Sequence, residues 1–252
     1  MKMLKEIRNL VSFLTTIPVG MDPDCLTDSA NYMYLFPLVG VVIGLSAGLF
    51  AWLLFNILAS LVVGILTIGF ILLLTGVHHT DGLLDFGDGI MVQGPPQRKI
   101  EIMHDQRTGA GGLALGLVTV IATASCIAEL TKNSVIPSLI VSEISAKLAM
   151  VIMAWVGRSA HEGTSTYFVN AMHGQHRYSR LIVAIFIAFG IAIFILHIVG
   201  LLAVIACVAV AFALTAISNR HFKGVTGDVF GAGNELARLA SLIVILVMFG
   251  WA

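Results

Sequence analysis

Residues 32–77 read YMYLFPLVGVVIGLSAGLFAWLLFNILASLVVGILTIGFILLLTGV, an apolar run long enough for two membrane spans of roughly 20 residues each. A reversal is expected near Asn56–Ser60. Working outward, Ala110–Leu130, Val135–Val156, Leu181–Val199, Leu201–Ile217 and Leu236–Ala252 read as further spans, with a hairpin near Gly200. The rest of the composition agrees. Hydrophobic residues make up 58% of the chain and charged residues 11%, against about 25% charged in a soluble domain. Mean hydropathy is +0.97. The expected fold is all-α: a polytopic integral membrane bundle of about seven transmembrane helices, forming one domain over residues 1–252. Residues 1–31 read as an interfacial segment, because the apolar piece Leu10–Val19 is interrupted by Ser12, Thr15, Thr16 and Pro18 and is too short to span.

Positive charge sets the orientation. With seven spans, Lys2, Lys5, Arg8, Arg98, Lys99, Arg107, Arg158, Arg177, Arg180, Arg220, Lys223 and Arg238 share one side, 12 in all, and only Lys132 lies on the other. That side should be cytoplasmic, with the N-terminus inside a cell (plasma) membrane and Ala252 on the far side. The long, glycine-rich loops share the charged side, so function is expected to face the cytosol. Lys plus Arg equals Asp plus Glu at 14 each, which argues for no nucleic-acid partner. Cys25, Cys126 and Cys207 have no metal or redox spacing and read as small core residues. Within the fourth span, Glu143 and Lys147 are i, i+4 and read as an internal pair, with a site-lining role as the alternative.

The chemistry concentrates in three loops. The first, Gly76–Gly89, carries Asp81, Asp85 and Asp88 at i, i+4 and i+7, which share one face with His78 if the second span continues as a helix. Three like charges on one face call for a cation, and hard oxygen donors suit Mg²⁺ or Mn²⁺. The alternative is a solvated acidic turn. No zinc ligand set accompanies His78 and His79. The second loop carries Glu101 and Asp105, then Arg107-Thr-Gly-Ala-Gly-Gly112, a guanidinium before a helix start that could bind an anion. The third carries Lys223-Gly-Val-Thr226-Gly-Asp228, followed by Asn234 and Glu235 where the last span begins. Polar residues at such a position are expected to face a site.

These segments, taken in order, resemble the cobalamin synthase family, the adenosylcobinamide-GDP ribazoletransferases. The family pattern H-x-x-DG-x-x-D-x-x-DG matches His78, Asp81-Gly82, Asp85 and Asp88-Gly89. The pattern E-I-M-x-D-x-R-x-G-x-x-G matches Glu101 to Gly112, and G-x-T-GD with a later NE matches Gly224 to Asp228 with Asn234-Glu235. Phe13–Val19 and Phe36–Gly40 are similar as well, although Thr16 stands where the family often has Arg, and residues 157–178 match loosely. The resemblance implies a phosphotransfer in the last steps of cobalamin biosynthesis. The ribose 3′-hydroxyl of α-ribazole, or of its 5′-phosphate, attacks the cobinamide-linked phosphorus of adenosylcobinamide-GDP, and GMP leaves. It further implies Mg²⁺ on Asp81, Asp85 and Asp88, with one of them or Asp105 taking the proton. Arg107 and Lys223 would hold the leaving phosphate or nucleotide, and His78, Thr226, Asp228, Asn234 and Glu235 would contact substrate. Whether the protein forms a homo-oligomer stays open at this stage.

Two rivals fare worse. A CDP-alcohol phosphotransferase would continue its aspartate motif with Ala-Arg, whereas Leu83-Leu84-Asp85-Phe86 follows Asp81-Gly82 here. An ion-coupled transporter built on Glu143 and Lys147 would show internal repeats and broken midplane helices, and the polar residues lie in loops instead.

Overall fold

The computed structural model describes residues 2–20 and 22–250; among them the chain is helical, with one isolated bridge, Ser159 to Val225, and no strand. Two short helices come first, α1 (Lys2–Leu14) and α2 (Cys25–Asn31), then a 3-10 turn at Met33–Leu35. The long elements follow: α3 (Phe36–Leu54), α4 (Ser60–Leu74), α5 (His78–Met91), α6 (Pro96–Met103), α7 (Ala110–Glu129), α8 (Val135–Val156), α9 (Thr164–His173), α10 (Arg177–Phe222) and α11 (Gly227–Gly250).

Helix α8 is the centre. Every residue from Ser138 to Ala154 is buried, the polar Glu143 and Lys147 included. Helices α3, α10 and α11 pack around it. Helix α3 runs antiparallel to α8, with Gly40 facing Glu143 and Ile144, Gly44 facing Leu139 and Ile140, and Gly48 facing Ile136. Glycines at this spacing let two backbones touch, which is how membrane helices gain dispersion contact without a hydrophobic drive. Helix α4 meets α7 at Gly64 and Ala124 in the same way. Large apolar side chains, among them Leu61, Leu73, Val118, Phe186 and Phe194, point outward. In water such a surface would aggregate; in lipid it is the solvated face.

Five helices are long and apolar enough to cross a membrane on their own, and six when α4 and α5 are taken as one bent span. One of the five, α10, is folded back on itself. At His197 the backbone turns to φ 50°, ψ −127°, and a methyl on Gly200 would overlap the Ala192 backbone, eight residues earlier. Its two ends return to the same side: Arg177 lies over the Trp155 ring at the end of α8, and Phe222 meets Phe86 of α5. The hairpin expected near Gly200 is therefore present, with its corner at His197. The expectation for Ala252 falls outside the described residues.

The polar segments collect at one end of the bundle. There the Thr16 N–H donates to the Leu74 carbonyl at 2.7 Å, Arg158 Nε donates to the Lys223 carbonyl at 2.8 Å, and α5, α6 and α9 cover the helix ends. Lys132 is at the opposite end, beside Asn56 and 4.6 Å above the Trp52 ring. Within the segment expected to be interfacial, Lys2–Leu14 form α1 and Cys25–Asn31 form α2. Arg8 pairs with Asp22, and Asn9 Nδ2 donates to Asp28 at 2.9 Å, tying the two helices together.

Two expectations need correction. Helix α11 begins at Gly227 rather than Leu236, so Asn234 and Glu235 lie two turns inside it. Arg238, counted above as an anchor at a span edge, is fully buried between Glu143 and Glu235, which leaves 11 basic residues against 1 as the charge asymmetry. Glu143 and Lys147 do form the internal pair, at 3.4 Å, and Lys147 Nζ also donates to Asn234 Oδ1 at 2.6 Å. Asn234 Nδ2 in turn donates to Glu235 Oε1 at 3.1 Å, so two acids, two bases and one amide form a single network joining α8 to α11.

Charges at this depth hold only when paired, so removing one partner is costly. Glu143→Ala would leave Arg238 and Lys147 facing each other and should destabilise the fold by about 3–5 kcal/mol. The check is thermal unfolding in detergent. Glu101→Ala, which loses only the exposed pair with Arg98, should melt within error of the parent.

Candidate active site

Helix α5 carries the aspartates, and a sharp corner sets its position. Gly76 and Val77 both adopt positive φ, 67° and 65°, and α5 leaves α4 at a 97° bend. The second span therefore does not continue straight into the aspartate helix as expected; α5 turns across the polar end of the bundle. Left-handed backbone is free for glycine but strained for a β-branched residue such as Val77. The corner is held from outside by Thr16, whose hydroxyl donates to the Leu73 carbonyl at 3.1 Å.

Small residues then let α5 lie flat on its neighbours. A methyl on Gly82 would stand 2.8 Å from the Asp228 Cα, and one on Gly87 would stand 2.8 Å from the Gly112 Cα. The first contact brings the start of α11 against the middle of α5. Asp228 thereby joins the aspartate face of α5, a meeting that sequence spacing does not announce.

The three aspartates of α5 have different surroundings. Asp81 is exposed. Asp88 is buried, and its carboxylate accepts the Gly109 N–H at 2.6 Å and the Gly112 N–H at 2.8 Å. Expected as a metal ligand, Asp88 instead caps the start of α7, where the free N–H groups and the helix dipole favour an anion. Asp85 lies between, half-buried. Its burial, and then the negative charges of Asp228, Asp81 and Asp88, push its carboxyl up to about 7 from the ordinary 3.8. Below the cluster, burial holds the His79 imidazole well below the usual histidine range, with Lys147 and Arg238 adding to the effect.

Among the described residues, no three His, Cys, Asp or Glu side chains converge on one point at metal-ligand distances. Mg²⁺ rarely requires this, since it keeps several waters and commonly takes one or two carboxylates plus substrate phosphates. The donor chemistry of Asp81, Asp85 and Asp228, crowded hard oxygens of one charge, fits such an ion.

Beside the cluster opens a cavity of about 580 Å³. Its rim carries His78, Asp81 and Asp228, and its wall is formed by Phe13, Phe36, Phe168, Met33 and Leu26. Phe168 is the hub, 5.4 Å from Phe13, 5.9 Å from Phe36 and 6.3 Å from Phe230 between ring centroids. Of the other expected residues, Thr226 is buried and caps α11, its hydroxyl accepting the Val229 N–H and donating to Asp228 at 3.2 Å. Asp105 and Arg107 pair with each other at 3.3 Å in an exposed turn, with Arg107 90% exposed and away from the cavity wall. Asn234 and Glu235 serve the buried network, not the cavity. Lys223 is exposed next to a second, smaller cavity. Two histidines were missed. His104 acts electrostatically on Asp228, and its ring meets that of His161 edge to face at 5.2 Å. His104 stands inside the second sequence motif, which was its only signal.

Substitutions separate the roles on α5. Asp88→Asn can offer its single carbonyl oxygen to one of the two N–H groups, so it should lower stability by about 1–3 kcal/mol. Asp85→Asn removes a charge that its neighbours oppose, so in chelator at pH 8 it should melt higher than the parent. Melting curves of the two proteins, side by side, decide whether Asp88 is an anchor.

The family model described as cobalamin-5-phosphate synthase matches residues 6–246. A protein of Methanocella arvoryzae named adenosylcobinamide-GDP ribazoletransferase is 38% identical, over 95% of this chain and 94% of its own length. A protein of the same name from Methanococcoides burtonii is 33% identical, over 97% and 92%. No solved structure matches significantly. With a family match over residues 6–246 and relatives 38% and 33% identical over nearly their full length, the chain belongs to the cobalamin-5-phosphate synthase family of transferases.

Proposed function

We propose that this chain joins adenosylcobinamide-GDP to α-ribazole or its 5′-phosphate with release of GMP, using Mg²⁺, at the cytoplasmic face of the cell membrane. The observation that carries the reading is the meeting of Asp85 and Asp81 on α5 with Asp228 on α11, Asp81 and Asp228 standing at the mouth of a cavity walled by phenylalanines. An acidic rim over an aromatic wall suits a nucleoside: a flat base inside, a ribose at the mouth.

Asp85 and Asp228, from two different helices, would hold the ion, which would supply charge neutralisation at the phosphoryl oxygens. The base of the nucleoside packs against Phe168, Phe13 and Phe36. Its 3′-hydroxyl then lies beside Asp81, the exposed carboxylate on the cavity rim, which accepts the proton. The 3′-oxygen forms the new bond to the cobinamide-linked phosphorus, the anhydride bond to the second phosphorus breaks, and GMP leaves with the bridging oxygen. Asp88 does not touch the reactants; it keeps α5 and the start of α7 in register. Arg107 reaches the anionic substrate from the solvent side, which its exposure permits. The cytoplasmic orientation is supported by 11 basic residues at the polar end against 1 at the other.

The test is GMP release by purified protein in lipid nanodiscs, supplied with adenosylcobinamide-GDP and α-ribazole. Turnover should require Mg²⁺ or Mn²⁺, and Asp81→Asn and Asp228→Asn should each lose roughly a hundredfold or more, about 3 kcal/mol. Phe168→Ala should raise KM for α-ribazole roughly tenfold while leaving KM for adenosylcobinamide-GDP unchanged. Full turnover in chelator would sink the metal-dependent reading. Orientation is checked in intact cells with a membrane-impermeant thiol reagent, which should label a cysteine at Lys132 and spare one at Arg107.

A further inference from the structure

The second cavity, about 330 Å³, is lined by Gly94, Pro96, Lys99, Arg220, His221 and Lys223. Four of its six lining residues are basic types, and none is an acid. Among the described residues, no carboxylate stands within salt-bridge distance of Lys99, Arg220 or Lys223. Arg220 and Lys223 lie at the end of α10, where the helix dipole alone accounts for basic residues. Lys99 is not explained that way. It comes from α6, is only 9% exposed, and its Nζ stands 3.0 Å from His221 Nδ1. An ammonium has no acceptor, so it donates to a neutral imidazole. That leaves a nearly buried cation with a hydrogen bond but no counter-charge.

Elsewhere the fold does not tolerate this. Lys147 and Arg238, the other buried cations among the described residues, are both paired with Glu143, and Arg238 also with Glu235. Lys99 instead lines a cavity open to solvent, where the counter-charge it lacks within the chain can be supplied from outside. We infer that the Lys99–Arg220–His221–Lys223 cavity is a binding site for the phosphate group of a nucleotide, distinct from the aspartate cluster. Phosphate fits because Arg220 offers a planar fork and Lys99 and Lys223 offer point charges. Lys223 lies five residues before Asp228, at most roughly 18 Å of extended chain, so one ligand or two successive ones can connect the two places. The phosphate chemistry stands alone; the choice of a nucleotide as its carrier rests on the function proposed above.

Equilibrium binding to the full-length protein in neutral phosphatidylcholine nanodiscs tests it, with GMP, α-ribazole 5′-phosphate, their unphosphorylated nucleosides and inorganic phosphate as probes. At least one nucleotide should bind tenfold or more tightly than its nucleoside, and which one does identifies the carrier. Lys99→Gln and, at the exposed position, Arg220→Gln should each weaken that binding at least tenfold. Arg98→Gln, one residue away but already paired with Glu101, should not. Asp85→Asn should abolish transfer and keep nucleotide binding, so failure of the proposed reaction with binding intact would leave this site standing. The inference is overturned if nucleotide and nucleoside bind alike, if Arg220→Gln binds like the parent, or if the variants change only retention of phosphatidylglycerol in mixed nanodiscs, which would assign the cavity to lipid headgroups.

Discussion

A single carboxylate, that of Asp88, accepting two backbone N–H groups from the start of α7, fixes the geometry on which the site depends. A helix start leaves N–H groups without partners. A buried helix laid across a bundle end needs something to stop it sliding. Here each requirement satisfies the other: α5 supplies the acceptor, and Gly109 and Gly112 supply donors with no side chain to hold α5 away. The corner at Gly76 and Val77 and the close approach of Gly82 to Asp228 complete the placement. Any one of these features could be found in a helical membrane protein. Together they turn one helix through a right angle and bring two carboxylates from different parts of the chain to the same place.

Beneath α5 the fold carries a second device, the network of Glu143, Lys147, Asn234, Glu235 and Arg238. It joins the central helix α8 to α11, the helix that presents Asp228. Because the charges are fully buried, their attraction is barely screened, and the relative depth of α8 and α11 is set by hydrogen-bond geometry rather than by apolar packing, which slides easily in lipid. Position matters most in phosphoryl transfer, where the protein does little covalent chemistry and must hold charge in the right place. Burying a network beneath the aspartate cluster serves that need, with His79 kept neutral between the two.

Much of this was legible in the sequence. The apolar runs, the one-sided polar loops and the hairpin near Gly200 follow from hydropathy and length, and the i, i+4, i+7 aspartates announced a shared face. What could not be read is what depends on distant partners. Asp88 looked like its neighbours because its acceptor role is met by backbone, which has no sequence signature. Thr226 looked like a ligand, although Thr-Gly-Asp at a helix start is equally a capping signal. Arg238 looked like an interfacial anchor because the last span was begun nine residues too late, at Leu236 rather than Gly227; once that start moves, its i, i+3 spacing from Glu235 becomes meaningful. The joining of Asp228 to α5 had no local signal at all, since it arises from a glycine contact between residues 146 positions apart.

The central claim is that α5 and α11 share one divalent-cation site. Electron paramagnetic resonance of Mn²⁺ titrated into the purified protein measures this without any substrate. The account predicts one tight Mn²⁺ per chain, lost in Asp85→Asn and equally in Asp228→Asn, and retained in Arg107→Lys. Binding that survives Asp228→Asn unchanged would mean that the two helices do not share a site, and would contradict the account.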